Sequence, residues 1–202
     1  MFHITETEKT ELRFLGKHNM HILETYALLS GAQIDKCFIE TENYDIQYPQ
    51  YVLLHADCSK ASARQYKNWD KVINLLKQDQ NFNLPIVQIG GITDHNYDVD
   101  LSLLGQTNTH QLAYIISKCS LLLCYDSLPM HLASHFQKKI VALFSYYSSN
   151  SGPYFSNNED IILLEPDFSK IKPSHMFDDP YDLINTISPE KIYQAIINLL
   201  QI

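Results

Sequence analysis

From Tyr51 onward the chain alternates between short apolar runs and longer amphipathic segments. The apolar runs are YVLLHA (51–56), PIVQIGG (85–91), DLSLLG (100–105), SLLLCYD (120–126), KIVALFSY (139–146) and DIILLEP (160–166). They are too short to be typical helices, and most are continuously apolar rather than alternating. Each therefore predicts a strand, and together they predict strands that are buried on both faces.

The segments between these runs predict helices that cover the strands. Apolar side chains recur at helical spacing at Trp69, Val72, Ile73 and Leu76, and again in the segment THQLAYIISKC (109–119). Such a stripe is what a helix presents to a core. Residues typical of helix starts support this assignment. Thr107 or Asn108, and Ser188, are suitable N-caps, and Pro129 and Pro189 suit the first turn of a helix.

Residues 1–49 have a different character. They are polar and charged, apart from a helical pattern over 18–30 that ends at Gly31, a suitable C-cap. We therefore expect two parts, an N-terminal extension and linker over 1–49 and a Rossmann-like domain over 50–202. The second part is predicted to be α/β, a parallel sheet with helices on both faces.

Composition narrows the classes of function. The formal net charge of −8 argues against a nucleic-acid or anionic-membrane binder, because both need a basic surface. Four cysteines without a C-x-x-C pair, and an N-terminus with charges where a signal peptide is apolar, indicate reduced thiols in a soluble, cytoplasmic protein. No run is long enough to span a membrane, and the histidines lack a metal-binding spacing, so no metal is expected.

The loops that follow the strands carry the candidate chemistry, because ligands of parallel sheets bind beyond the carboxyl ends of the strands. In YDSLPMHLAS, Asp126 and Ser127 stand before a helix N-terminus and His131 lies in its first turn. Exposed amides there favour an anion such as a phosphate. The alternative is that Asp126 and Ser127 only cap the helix and that His131 is an interior side chain.

Two further groups are weaker candidates. Lys67, assisted by Arg64, would neutralise a diphosphate, although a lone lysine on a helix is usually only a solvated charge. Gly90-Gly91 permits close approach of a ligand to the backbone, with Asp94 following. The chain has no G-x-G-x-x-G, no P-loop and no G-x-S-x-G, which disfavours a dinucleotide enzyme, a nucleotide triphosphatase and an α/β hydrolase.

The motifs in order resemble the C-terminal domain of the heptosyltransferases, which are GT-B glycosyltransferases. They are KNW at 67–69, QIGGITD at 88–94, LLGQTNTHQLAYII at 103–116, YDSLPMHLAS at 125–134 and KKIVALF after it. The resemblance covers about residues 50–156. It implies a nucleotide-diphospho-sugar donor as substrate, no bound cofactor or metal, and inversion at the anomeric carbon. It also implies roles for Asp126, Ser127 and His131 on the diphosphate and sugar, for Lys67 on phosphate charge, and for Gly91 and Asp94 on the nucleotide.

The chain departs from the family pattern in three places. Leu128 replaces the glycine of D-[ST]-G, Gly152-Pro153 arrives late after its strand, and residues 1–50 lack the family's Gly-rich first loop. The resemblance implies that the catalytic base lies in the family's N-terminal domain, which we expect these 202 residues to be too few to contain, so no base is assigned. Three hypotheses follow. They are a glycosyltransferase completed by a partner domain or a homo-oligomer, a non-catalytic nucleotide-sugar-binding or protein-interaction module, and an unrelated α/β protein.

Overall fold

A computed structural model describes residues 20–57, 65–169 and 182–202. Its strands are β1 (Val52–His55), β2 (Ile86–Ile89), β3 (Leu101–Ser102), β4 (Leu121–Tyr125), β5 (Lys139–Leu143) and β6 (Ile161–Leu164). Its α-helices are α1 (Ile22–Ser30), α2 (Trp69–Gln78), α3 (Thr109–Lys118), α4 (Leu128–His135) and α5 (Pro189–Leu200). Each apolar run thus contains a strand, although the run at 100–105 forms one of only two residues.

All six strands are parallel and lie in the order β3-β2-β1-β4-β5-β6. The chain builds outward from β1 to β3 on one side and then crosses back to place β4 on the other side of β1. The predicted α/β class is therefore confirmed. The neighbours β1 and β4 flank the point where the strand order reverses, and ligands of such sheets bind there.

The alternation of side chains along each strand divides the core into two layers. On one face, Leu54 and Tyr125 pack with Trp69 of α2 and Ile196 of α5. On the other face, Leu53 and Leu122 belong to a layer that contains apolar residues of α3 and α4. Both faces of β1 and β4 are buried because helices cover both sides, which explains the continuously apolar runs.

The helix ends follow the local sequence signals. The Asn108 side chain accepts a hydrogen bond from the Gln111 amide, and Ser188 does the same for Lys191 at the start of α5. Helix α1 ends at Gly31, whose φ of 69° is left-handed. Among the described residues, no helix combines the length and the apolar character that crossing a bilayer requires.

The residues before β1 do not share the buried character of the sheet. Thr25 is the one buried residue described in α1, whereas Tyr26, Leu28 and Leu29 are at least half exposed. After the helix, Tyr44 and Tyr48 pack partly against the core layer beside α3. The proposed boundary between 1–49 and 50–202 stays a prediction.

Candidate functional site

The carboxyl ends of β1 and β4 bring four polar side chains to the point where the strand order reverses. His55 is the last residue of β1, and Asp126 and Ser127 directly follow β4. His131 lies in the first half of α4. We call His55, Asp126, Ser127 and His131 the switch-point corner.

Ser127 occupies the N-cap position of α4 but does not cap it with its side chain. Its hydroxyl lies 3.2 Å from the Tyr125 carbonyl oxygen, to which it donates, and 3.2 Å from His55 Nδ1. The interpretation of Ser127 as an ordinary capping side chain is therefore wrong. Its hydroxyl instead joins the ends of two neighbouring strands.

Asp126 links α4 to the loop that follows β5. The Ser151 hydroxyl donates to Asp126 Oδ2 at 3.0 Å, and His131 Nε2 lies 3.9 Å from Asp126 Oδ1. Burial lowers the pKa of His131, and the Asp126 charge opposes that effect without reversing it. The lowered pKa therefore favours the uncharged form of the His131 imidazole.

Lys67 stands two residues before α2, and its charge already has a partner. Its Nζ lies 2.6 Å from Asp182 Oδ2, and its backbone amide donates to Asn185 Oδ1 at 2.7 Å. The Lys67 side chain is 66% exposed, and ion pairs this exposed contribute little to stability. The other cationic candidate, Arg64, lies outside the described residues.

Gly91 and Asp94 are also bonded to each other. The Gly91 amide donates to Asp94 Oδ2 at 2.6 Å, so the carboxylate folds back over the glycine pair. The φ of 157° at Gly90 is one that residues with a side chain rarely adopt, and a Cβ there would also press on the Asp94 carboxylate, which explains the glycine. Asp94 also acts electrostatically on His55, which indicates that this turn lies near the switch-point corner.

Leu128, where the family pattern has glycine, is the first residue of α4. Its side chain is 55% exposed. An apolar side chain therefore stands in solvent at the helix terminus whose amides would face a phosphate.

Next to the corner, the buried Tyr125 hydroxyl forms hydrogen bonds with three other residues. It accepts hydrogen bonds from Trp69 Nε1 at 2.6 Å and from the Tyr66 amide at 2.9 Å, and it donates to the Ala56 carbonyl at 3.1 Å. These contacts tie the end of β4 to the segment after β1 and to the start of α2. The stretch that carries Lys67 is thereby fixed at the same edge of the sheet.

Sequence reasoning missed His55 and the hydroxyl of Tyr125. His55 ends an apolar run, and its only sequence signal is a polar residue at the last position of a buried strand. Tyr125 ends the apolar part of the run 120–126, and no sequence signal indicates that its buried hydroxyl joins three elements. Neither partner set follows from spacing, because Ser127 is 72 residues from His55 and Trp69 is 56 from Tyr125.

Comparison with known proteins identifies the family. The model of glycosyltransferase family 9 (heptosyltransferase) matches residues 20–176. The chain belongs to this family. The resemblance inferred from the ordered motifs is thereby confirmed.

A curated heptosyltransferase is similar to this chain in sequence. The chain is 23% identical over 158 residues to lipopolysaccharide heptosyltransferase 2 of Salmonella typhimurium, an alignment that covers 71% of this chain and 45% of the relative. The chain therefore spans about half the length of this relative.

Solved structures show the same fold. E. coli ADP-heptose lipopolysaccharide heptosyltransferase II matches with a TM-score of 0.58 and 15% identity, over 100% of this chain and 53% of that one. The iron-containing dodecameric heptosyltransferase TibC in complex with ADP-D-β-D-heptose matches with a TM-score of 0.64 and 15% identity, over 90% and 53%. This chain thus has the fold of one part of these longer proteins.

The iron in the description of TibC raises the question of a metal site. Across residues 20–57, 65–169 and 182–202, no group of three His, Cys, Asp or Glu side chains is arranged to hold a metal ion. The described residues therefore do not supply a set of side-chain ligands for a metal ion.

Proposed function

We propose that this chain is the donor-binding half of a heptosyltransferase-like enzyme, which takes a nucleotide-diphospho-sugar and presents it for transfer to a hydroxyl acceptor. The observation that carries the proposal is the switch-point corner. It places a serine hydroxyl, a carboxylate and two imidazoles around a helix N-terminus, at the edge of the sheet where ligands of this fold bind.

Each residue of the corner has a role that its geometry supports. The Ser127 hydroxyl and the amides at the start of α4 would bind phosphate oxygens. His131 would donate a hydrogen bond to the diphosphate, taking up a proton as the negative charge arrives. Asp126, held by Ser151, would accept a hydrogen bond from a sugar hydroxyl.

The flanking residues would act at a greater distance. Lys67 would reach phosphate charge only by leaving Asp182, and the turn formed by Gly91 and Asp94 would line the nucleotide. Both assignments remain proposals.

In the transfer itself, the acceptor oxygen would attack the anomeric carbon from the face opposite the diphosphate. The bond between that carbon and the phosphate oxygen breaks, and the nucleoside diphosphate leaves with the electron pair. The Ser127 hydroxyl and the His131 imidazole would stabilise this leaving group. The acceptor proton passes to a base outside the described residues.

A second Rossmann-like unit, on this protein or on another, would supply that base and the acceptor site. The chain covers only 53% of E. coli heptosyltransferase II, so that enzyme has about as much chain again. Helix α1 presents Ile22, Leu23, Tyr26, Leu28 and Leu29 to solvent. We assign this apolar face to contact with the second unit, since such patches mark interaction surfaces.

The adenine nucleotide and the heptose are the finer part of the proposal. TibC is described in complex with ADP-D-β-D-heptose, and the E. coli neighbour as an ADP-heptose enzyme. On this basis we propose ADP-heptose as the donor. We also propose the cytoplasm as the location, because Cys37, Cys119 and Cys124 are free thiols, which are typical of a reducing compartment.

Calorimetric titration with ADP-, UDP- and GDP-sugars tests the proposal. We expect an ADP-sugar to bind best, and expect Asp126→Ala and His131→Ala each to weaken binding about tenfold or more, as for a lost hydrogen bond to a charged group. Glu159→Ala is the matched control, because Glu159 is exposed just before β6, at the opposite edge of the sheet.

Two results would contradict the proposal. A folded wild-type protein that binds no sugar nucleotide would leave the non-catalytic protein-interaction module as the better description. Binding that survives both corner substitutions would place the donor elsewhere on the chain.

A further inference from the structure

The contacts of Ser127 determine where the proton lies on His55. A serine hydroxyl has one hydrogen, and the Tyr125 carbonyl 3.2 Å away is able only to accept. With that hydrogen donated to Tyr125, the 3.2 Å contact between Ser127 Oγ and His55 Nδ1 needs its hydrogen from the imidazole. Counting hydrogens in this way assigns the Nδ1–H tautomer to His55.

The surroundings of His55 keep that imidazole neutral. Burial lowers its pKa, and the charges of Asp94 and Asp57 oppose the effect without overcoming it. Those two carboxylates lie in the loops after β2 and β1, and Ser127 contacts the ring from the start of α4. His55 is thus a neutral hydrogen-bond donor directed at the serine.

We propose that His55 is a positioning residue of the donor site, whose Nδ1–H holds Ser127 Oγ so that the serine hydroxyl turns from the Tyr125 carbonyl to a phosphate oxygen of a nucleoside diphosphate. The role rests on the proposed function, and it adds a residue that contacts no substrate itself.

The direction of the hydrogen bond is what makes the arrangement useful. If Ser127 instead donated to His55, its oxygen would present only lone pairs to a phosphate oxygen, and the two would repel. With the imidazole as donor, the hydroxyl hydrogen is free to rotate about the Cβ–Oγ bond. The oxygen itself does not move, so the donor is already in place when the ligand arrives.

Titration with ADP on a set of His55 and Ser127 variants tests this role. We expect His55→Leu to weaken binding about tenfold, as for one charge-assisted hydrogen bond. His55→Asn should stay within about threefold of wild type, because the Asn amide lies near the position of Nδ1 and donates as Nδ1 does. In a Ser127→Ala background, His55→Leu should cause no further loss, because its effect acts through the serine.

A second measurement needs no ligand. Long-range ¹H–¹⁵N NMR spectra of the imidazoles should show His55 protonated on Nδ1 in the wild type. Ser127→Ala should release that preference, while circular dichroism shows the fold unchanged. His55 protonated on Nε2 in the wild type would overturn the inference without any reference to nucleotide binding.

The outcomes separate this inference from the proposed function. If the wild type binds ADP and His55→Leu binds it equally well, or if the losses in the double variant add, His55 has no positioning role and the donor site stands. If the folded wild type binds neither ADP nor inorganic pyrophosphate at millimolar concentration, the donor site fails and the role of His55 toward phosphate fails with it.

Discussion

Two groups of polar residues lie at the carboxyl edge of this sheet, and they differ in what their bonds connect. In the switch-point corner, hydrogen bonds join separate elements, as between Ser127 and His55 or between Asp126 and Ser151. In the flanking group, Lys67 pairs with Asp182 on the surface and Asp94 closes a turn on Gly91.

This difference indicates which polar side chains are already oriented for binding a ligand. A carboxylate that closes its own turn is already used by the loop, and an exposed ion pair has little to add to a binding site. A partly buried group held between elements is oriented before the ligand comes, and preorientation is what makes a polar group effective. We therefore expect substitutions in the corner to change binding and those in the flanking group to change it little.

The largest effect should come from the hydroxyl that supports both groups. Tyr125→Phe leaves the Trp69 and Tyr66 donors and the Ala56 carbonyl without that partner in a buried position. We expect a loss of about 3 kcal/mol in the free energy of unfolding, measured by urea denaturation, since an orphaned buried polar group costs about 1–3 kcal/mol.

Tyr51→Phe provides the matched control, because among the described residues the Tyr51 hydroxyl makes one hydrogen bond, which it donates to the Ile115 carbonyl next to the amino end of β1. Its loss should be about 1 kcal/mol. Equal losses in the two variants would show that the three contacts of Tyr125 do not act together.

The second-largest effect should come from lowering the pH, which we expect to destabilise the folded protein through two histidines of the corner. Burial lowers the pKa of His55 and of His131 in the folded protein, so the unfolded chain binds more protons below about pH 6.5. The stability from these groups is present above the unfolded pKa and is lost as the pH falls through the folded values.

Urea midpoints at pH 7 and pH 5 measure this effect. The midpoint should fall with pH, and the fall should be smaller in His55→Asn and His131→Asn. If neither variant changes the fall of the urea midpoint between pH 7 and pH 5, other groups control the pH dependence.

Leu128→Gly tests the residue next to the switch-point corner. It removes an exposed leucine from the first position of α4, where a phosphate would approach. We expect ADP to bind about fivefold tighter by calorimetry, a gain of about 1 kcal/mol. Leu128→Ala should show most of the gain, and weaker binding in both variants would mean that the leucine contacts the ligand.

The smallest effect on binding should come from Lys67→Ala. Its side chain is two-thirds exposed and its ammonium is paired with Asp182, so we expect the affinity for ADP to fall by less than threefold. Asp182→Asn, which frees the lysine without removing it, is the companion variant. A tenfold loss in Lys67→Ala would place Lys67 on the phosphate and remove the distinction between the two groups.

Local signals predicted most of the secondary structure. The apolar runs located the strands because a strand covered on both faces needs apolar residues at nearly every position. Asn108 and Ser188 marked helix starts because a cap depends only on the next three residues. The same signals placed Ser127 correctly at an N-cap, but the alternative that its side chain caps the helix is wrong, because its hydroxyl contacts Tyr125 and His55.

The sequence by itself determined the α/β class, the family and the loops in which the candidate site lies, because each depends on periodicity or on motifs in fixed order. Only the tertiary structure decided that His55 lies 3.2 Å from Ser127 Oγ, that Ser151 donates to Asp126 and that Lys67 is paired with Asp182. Those contacts depend on the parallel register of β1 and β4 and on loops returning from distant parts of the chain. Packing of the whole sheet sets that register, and no short stretch of sequence encodes it.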